Sequence, residues 1–418
     1  MKKLIVFGMT LMLVLGAIAP VGQANVAGAE ELPFSDIAKH WAKDNILKAY
    51  ESGLVDGFPD GTFRPDAVVT GDQFLVMMLR AHSVTVDGKT EFDPEWFDKL
   101  EEYQPTFLNT IKLTVKKQNF NFQNASNDYW AKPYVDFIYD TPVLKTWDTV
   151  FPKDYALYKK QIKREEASYL LGQWFTSLEN SYQDMYIEYV IKNSGLKDFN
   201  NFGLDVGAHR ASMLISGIMN GYPTMYFYPK RYVTRAEALT MAQRLRDPSL
   251  RKPFTPNLQG QYYTLVDTNY YLFSDKYKFD FYNTALNLAK KHVTTGFIHL
   301  SGGNAIEIFK SEDERDKFIY MTKTMQFTNR PLPELIVSVD PYDYKTVSID
   351  FPFDTTFPNT KAYLNAAYEL LAGGGKGAQL KSKVDSLVKE GLPENFTFNG
   401  KKYTFYNHGK TIELTMYY

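Results

Sequence analysis

The sequence predicts a multi-domain chain: an all-α, pseudo-threefold helical bundle followed by an α+β domain. Three stretches superpose on a proline twelve residues ahead of a short polar motif: Pro59 before Gly71, Pro152 before Arg164 and Pro223 before Arg235. A helix-patterned run follows each motif, and such repetition means one structural unit used three times. Past residue 247 the repeats stop, and short runs rich in tyrosine and phenylalanine begin.

The N-terminus comes first. Lys2 and Lys3 precede an apolar run from Leu4 to Pro20, and Ala27-Gly28-Ala29 reads A-x-A. This is a three-part secretory signal, assigned to residues 1–29, with Ala24 as a second cleavage point. A retained anchor is the alternative, but no basic stop-transfer cluster follows the run. No later stretch is long and apolar enough to span a bilayer, so the mature chain is expected to be exported with no membrane span. The formal net charge of −1 supplies no global field for nucleic acid, so any anion must be met locally. With no cysteine there is neither a disulfide framework nor a thiolate metal site.

Repeat one, residues 30–82, opens with Phe34-Ser35-Asp36 and His40-Trp41-Ala42-Lys43. A helix runs to about Ser52, where Gly53 tolerates the left-handed cap. Pro59-Asp60-Gly61 is a turn, and a second helix begins near Thr70. Residues 83–126 form a spacer, partly helical from Glu95 to Val115. Repeat two, 127–180, opens with Tyr129-Trp130-Ala131-Lys132. Repeat three, 181–247, lacks a tryptophan opening, but Gly217 to Pro223 mirrors Gly53 to Pro59. The second helices agree best. Positions 3, 6, 7 and 10 after the motif are Phe74, Met77, Met78 and Ala81; Ala167, Leu170, Leu171 and Trp174; Ala238, Met241, Ala242 and Leu245. All twelve are apolar on one helical stripe. Three equivalent stripes need a shared partner, and the simplest is each other.

The helix starts carry the candidate chemistry. Thr234 and Glu237 form a capping box, Thr70 and Gln73 can do the same, and Lys163 with Glu166 keeps only half of one. Arginine is not explained by capping, because position N1 lies at the positive end of the helix dipole. Arg164 and Arg235 are therefore either solvated surface residues or, with free helix N–H groups, the positive half of an anion pocket. A guanidinium fork suits a planar carboxylate.

These motifs make residues from about 34 to 246 resemble three tandem S-layer homology domains. The resemblance rests on Phe34-Ser35-Asp36, His40-Trp41-Ala42, Gly57-Phe58-Pro59-Asp60-Gly61-Thr62-Phe63-Arg64-Pro65 and Val233-Thr234-Arg235-Ala236-Glu237. It implies a three-pronged spindle that holds a surface protein non-covalently on the wall of Gram-positive and related bacteria. The implied ligand is a secondary cell-wall polysaccharide bearing ketal-pyruvate groups. Carried over by position, Arg164 and Arg235 contact the carboxylate, with Lys163 and Thr234 beside them, and Gly57, Gly221 and Tyr222 line the grooves. Trp41 and Trp130 are assigned structural roles, with sugar packing as the alternative for Trp41. Gly71 stands where arginine is expected, so the first groove is expected to lack its charge anchor.

A proline-bearing linker, 248–258, leads to the α+β domain, 259–418. Strands are expected over Tyr262–Leu272 and Lys278–Tyr282, at Ile306–Phe309, and as a hairpin from Leu335–Val339 to Thr346–Phe351 across Pro341-Tyr342-Asp343. Asn399-Gly400 marks a second hairpin, followed by a strand at Thr411–Tyr417. Helices are expected over 283–292, 312–324, 361–371 and 378–390. Little chemistry is legible here. Gly373 to Gly377 only imitates a phosphate loop, Ser301-Gly302-Gly303 is no nucleophile elbow, and His292, His299 and His408 show no metal-ligand spacing. Asp340, Asp343, Asp350 and Asp354 are read as loop residues that could include a carboxylate pair. The resulting expectation is a secreted, wall-anchored surface protein with no catalytic or metal residues and no cofactor. The alternatives are an anchored enzyme such as a glycan hydrolase, and a structural subunit of a surface lattice.

Overall fold

The structure, a computed structural model, describes residues 32–418 except 142, 145–147, 149, 180–181, 201–203, 324–325, 327, 341, 343, 353–357, 391–393 and 410. The secretory signal assigned to 1–29, and Pro341, Asp343 and Asp354, lie outside the described residues.

The N-terminal half is helical. Its elements are α1 (Lys43–Glu51), α2 (Gly71–Arg80), a hairpin of β1 (Ser83–Val86) and β2 (Lys89–Phe92), α3 (Pro94–Tyr103), α4 (Pro105–Gln118), α5 (Lys132–Asp140), α6 (Tyr155–Tyr158), α7 (Arg164–Leu178), α8 (Asp184–Asn193), α9 (Leu204–Ser216) and α10 (Arg235–Arg246). The three motif helices are α2, α7 and α10. All twelve stripe residues named above are at most 8% exposed and belong to one core.

The starts of these helices are tied in a ring. Val69 N–H donates to Val233 O at 3.0 Å, Val233 N–H to Ile162 O at 3.0 Å, and Ile162 N–H to Val69 O at 3.1 Å. A second ring lies one step outward. Gly71 N–H reaches Lys160 O at 2.9 Å, Arg164 N–H reaches Arg231 O at 2.9 Å, and Arg235 N–H reaches Ala67 O at 2.8 Å. First-turn N–H groups have no partner inside their own helix. Here the first N–H of each helix is satisfied by the next motif's leading segment, so the three helix starts hold one another.

The 83–126 segment is more built than a partly helical spacer. Asp87 and Gly88 both take positive φ, 50° and 75°, and close a hairpin that the Asp-Gly dipeptide announces. Two helices follow, and Pro105, which has no N–H to donate, separates them at Gln104.

The C-terminal half opens with a hairpin, β3 (Tyr262–Val266) and β4 (Asn269–Phe273), then α11 (Lys276–His292). The strand expected at 278–282 is the first part of α11. Asp275 caps that helix by accepting Lys278 N–H at 3.0 Å, and the aromatic residues there face the core. Next come β5 (Ile298–Ser301), β6 (Ala305–Ile308), α12 (Glu312–Lys323), β7 (Leu335–Val339), β8 (Thr346–Pro352), α13 (Pro358–Ala372), α14 (Gly377–Glu390), β9 (Glu394–Phe398), β10 (Lys401–Asn407) and β11 (Thr411–Tyr417). Seven strands form an antiparallel sheet in the order β5-β6-β7-β8-β11-β10-β9. Residues of α11, α13 and α14 share its core. Period-two alternation then turns Ser338, Ser348, Asp350, Glu413 and Thr415 away from that core. The halves touch. Gln183 brackets Leu272 with two hydrogen bonds of 2.7 and 3.0 Å, and Leu272 itself joins the helical core. Among the described residues, no helix is long and apolar enough to cross a membrane.

Candidate functional site

Each motif helix starts beside the loop of the next motif round the ring, which makes three grooves. Two loops are held alike. Asp36 accepts the N–H groups of Phe63 and Arg64 at 2.8 and 2.7 Å; Asp198 accepts those of Phe227 and Tyr228 at 2.7 and 2.8 Å. Arg64 and Tyr228 both take left-handed φ, 58° and 54°. The third repeat therefore has an opening, Leu196-Lys197-Asp198-Phe199, matching Phe34-Ser35-Asp36-Ile37. A search keyed to tryptophan misses it. Gly57 and Gly221 are fixed by this packing rather than by the groove. A Cβ there would come within 2.1 Å of Phe34 and 2.4 Å of Leu196.

Arg164, expected at an open crevice, is only 3% exposed. Its Nε donates to Phe227 O at 2.9 Å and an Nη to Asn220 O at 2.9 Å. The guanidinium lies between the Tyr222 and Phe227 rings, 4.6 and 4.8 Å from their centroids. Glu237 stands 3.9 Å from Arg164 and 3.9 Å from Arg231, and it accepts the Tyr222 hydroxyl. Burial lowers the arginine's pKa, against the pull of Tyr222 and Glu237. Burial also raises Tyr222 to about 12. One carboxylate thus serves two guanidinium groups, and the accessible excess charge sits on Arg231, which is exposed.

Arg235 is different. It is half-buried, over the rings of Phe58 and Phe63 at 5.2 and 4.7 Å. An Nη donates to Asp56 O at 2.8 Å, and Nε has no partner among the described residues. No salt bridge to it is found among those residues. Burial lowers its pKa, with Asp56 opposing. Glu237 is the third residue of α10; the third residue of α2, next round the ring from Arg235, is the neutral Gln73.

The first groove has Gly71 in place of arginine, and a side chain there would crowd the backbone of Tyr158. A Cβ on Gly71 would lie 3.2 Å from Tyr158 O. Beside it is a cavity of about 440 Å³ lined by Lys159, Lys160, Lys163 and Glu166. This groove is cationic through lysine. Sequence reasoning named Lys163 but missed Lys159, Lys160 and Arg231. Lys160 and Arg231 share one place, four residues before their motif, which was the signal available.

The helix N–H groups are not free. Besides the ring bonds, Glu165 N–H donates to Pro229 O and Ala236 N–H to Pro65 O, both at 3.0 Å. Positive charge in the grooves comes from side chains alone. Thr234 and Glu237 make the reciprocal cap, at 3.3 and 3.0 Å. Glu166 accepts Lys163 N–H at 2.7 Å, and a lysine ammonium has no lone pair to return the bond. In α2, Gln73 accepts Thr70 N–H at 3.1 Å, but Asp72 rather than Thr70 takes Gln73 N–H, at 2.7 Å. Trp41 and Trp130 are not core residues: they are 63% and 45% exposed, and Ala42 and Ala131 fill the buried positions beside them.

In the C-terminal half the glycine run 373–377 is no anion cradle, because Glu369 accepts the N–H groups of Gly375 and Gly377, both at 2.7 Å. His299 pairs with Glu307 at 2.8 Å and His408 with Glu413 at 3.2 Å. Asp350 lies on strand β8, not in a loop, directly across from Glu413 on β11. Burial and the Glu413 charge push its carboxyl up to about 7, with His408 opposing.

This geometry can be set beside known proteins. Residues 33–75 and 216–239 match the S-layer homology domain. The chain carries that domain. S-layer and cell-surface proteins are among the relatives that these repeats resemble. The chain is 24% identical over 243 residues to "Exoglucanase XynX" of Acetivibrio thermocellus, covering 56% of this chain and 18% of that protein. It is 41% identical over 71 residues to "Cell surface glycoprotein 1" of the same organism, covering 15% and 3%. It is 29% identical over 117 residues to "S-layer protein" of Bacillus licheniformis, covering 28% and 11%. The chain thus spans under a fifth of the length of each of these relatives.

Proposed function

We propose that residues 30–247 form a pseudo-threefold spindle of three S-layer homology repeats, with 83–126 inserted between the first two. The spindle anchors the chain non-covalently to a bacterial wall by binding an anionic secondary wall polysaccharide with ketal-pyruvate groups. Residues 259–418 are the carried domain. The observation that supports the spindle is the closed ring Val69–Val233–Ile162, in which the starts of the three motif helices bond to one another in turn. The anionic ligand is supported by the cationic side chains at each groove, Arg235, Arg231 and the lysines beside Gly71.

Arg235 is the carboxylate contact in this reading, since its side chain is only partly buried and no salt bridge to it is found among the described residues. Arg231 takes that role in the second groove, and Arg164 supports the fold. Two or three weak sites on one polymer reinforce one another through effective concentration, on the order of a hundredfold. The test is sedimentation of the full chain with purified walls, before and after removal of pyruvyl groups. Pulldown is expected to need the pyruvyl groups and to be lost in a folded Arg235→Ala, Arg231→Ala double variant. Full pulldown of that variant sinks the assignment.

An anchored glycan hydrolase is the second reading, favoured by one observation. Asp350 and Glu413 face each other across adjacent strands, where Cβ atoms stand about 4.5–5.5 Å apart. Two facing carboxyl groups, one of them raised by burial and by the other's charge, resemble the pair that glycoside hydrolysis uses. Release of reducing sugar from wall glycan that disappears in Asp350→Asn would establish it, and no release from the wild type would dismiss it.

A further inference from the structure

A half-open cavity of about 640 Å³ lies in the 83–126 segment between the first two repeats, within the range of roughly 300–1,000 Å³ typical of small-molecule sites. We propose that it binds a small organic anion with a flat apolar body. This is independent of the wall-binding reading, because the ring of helix starts closes without any residue of the insertion.

The floor is aromatic. Phe92, on β2, stacks on Phe97 of α3 at 5.6 Å and meets Phe122 edge-on at 4.9 Å. Phe120 meets Phe122 edge-on at 5.4 Å, and Val115 of α4 completes the wall. The floor is held from behind, where Phe122 O accepts the Tyr134 hydroxyl at 2.6 Å. The cavity is therefore formed in advance, and ordering it on binding costs little. Phe92, Phe97, Phe120, Phe122 and Val115 carry no polar side-chain atom, so the part of a ligand seated against them is apolar, while Thr90, Asn121 and Gln123 supply the uncharged polar groups of the lining.

The rim supplies the charge. Lys89, Glu91 and Lys112 line it, and all three are exposed, leaving one positive charge in excess. Lys112 sits 5.8 Å from the centre of the Phe97 ring, so its ammonium lies beside the apolar body. Its salt bridge to Glu101 is long, 3.5 Å, and solvent-exposed. Such pairs are weak, typically ~0–1 kcal/mol, so the ammonium can turn to a ligand carboxylate or sulfonate. Apolar depth with one cationic edge selects a monoanionic amphiphile over a neutral or dianionic molecule.

The test uses the full chain with the aryl sulfonate probe 8-anilinonaphthalene-1-sulfonate and its neutral counterpart N-phenyl-1-naphthylamine. One saturable site is expected for the sulfonate, with the neutral probe binding more weakly. Val115→Trp fills the floor and is expected to weaken both probes on the order of tenfold. Lys112→Glu reverses the exposed rim charge, leaves the packing alone, and is expected to weaken only the sulfonate, by roughly fivefold. Should Val115→Trp fail to fold, Lys112→Glu decides by itself. Sulfonate affinity unchanged in Lys112→Glu, or equal affinity for the two probes in the wild type, overturns the proposal.

Discussion

Arg164 and Arg235 begin equivalent helices at the same position of the same motif, and each packs on the aromatic residues of the next loop. The first is 3% exposed, bound to two carbonyls and close to Glu237. The second is half-exposed, bound to one carbonyl, and has no salt bridge among the described residues. The motif sets where a guanidinium starts. Glu237, the third residue of the following motif helix, stands 3.9 Å from Arg164, whereas the equivalent position for Arg235 is the neutral Gln73. In the reading proposed above, one arginine then holds the fold while the other meets an external anion.

The largest effect expected from this contrast is on stability. Arg164→Ala strands the carbonyls of Asn220 and Phe227 and leaves Glu237 without its buried partner. Removing one member of a buried charged cluster costs about 3–5 kcal/mol. Denaturant unfolding of the full chain should show a loss of that order. A loss below about 1 kcal/mol would mean that Arg164 is dispensable to the fold and would erase the contrast.

Asp350 extends the comparison to the other half. It too is a charged group shielded from water, but its facing neighbour is Glu413, a like charge, so its carboxyl is pushed up to about 7. The unfolded chain ionises this group near the ordinary value of 3.8. The folded state holds its proton longer, so the stabilisation is complete below about 4 and is lost as the pH rises through about 7. At about 1.4 kcal/mol per pKa unit, the decline is on the order of a few kcal/mol. Asp350→Asn should flatten the stability profile between those limits. An unchanged slope would place the like-charge pressure elsewhere.

Binding effects come next. Arg235→Ala should change unfolding free energy by less than about 1 kcal/mol, since the side chain is only half-buried. It should weaken wall pulldown by about ten- to a hundredfold, the loss of one charge-assisted hydrogen bond. Equal stability losses in Arg164→Ala and Arg235→Ala would mean that the two sites do the same work.

How much of this could be read in the chain depends on the range of the forces involved. The apolar stripes were legible because one helix repeats them every three or four residues, and the same holds for the Asn399-Gly400 turn, whose conformation is local. The fate of the arginines was not legible. Burial of Arg164 is decided by Asn220 and Phe227, more than fifty residues away, and the crowding at Gly71 by Tyr158, 87 positions on. The strand expected at 278–282 failed for a related reason: tyrosine and phenylalanine favour strands by propensity, but here a capped helix buries them. Asp350 falls in the strand expected at Thr346–Phe351, yet reading it as a loop carboxylate missed its partner, because the pairing with Glu413 spans 63 residues.

The smallest effect is the most specific. If Gln73 is what leaves Arg235 available, then Gln73→Glu should fill that place with a carboxylate, as Glu237 does for Arg164. The fold should not suffer. Gln73 is exposed and accepts Thr70 N–H at 3.1 Å, a bond glutamate can make equally well. A negative charge in a first helical turn is favourable by about 0.3–1 kcal/mol. Unfolding should therefore be unchanged or slightly harder, while wall pulldown weakens by roughly three- to tenfold as the new carboxylate competes for the guanidinium. Raising the salt concentration should shrink the difference, because both the competing pair and the polysaccharide contact are screened. If Gln73→Glu sediments with walls as well as the wild type, while Arg235→Ala does not, the arginine remains the contact but Gln73 is not what keeps it open.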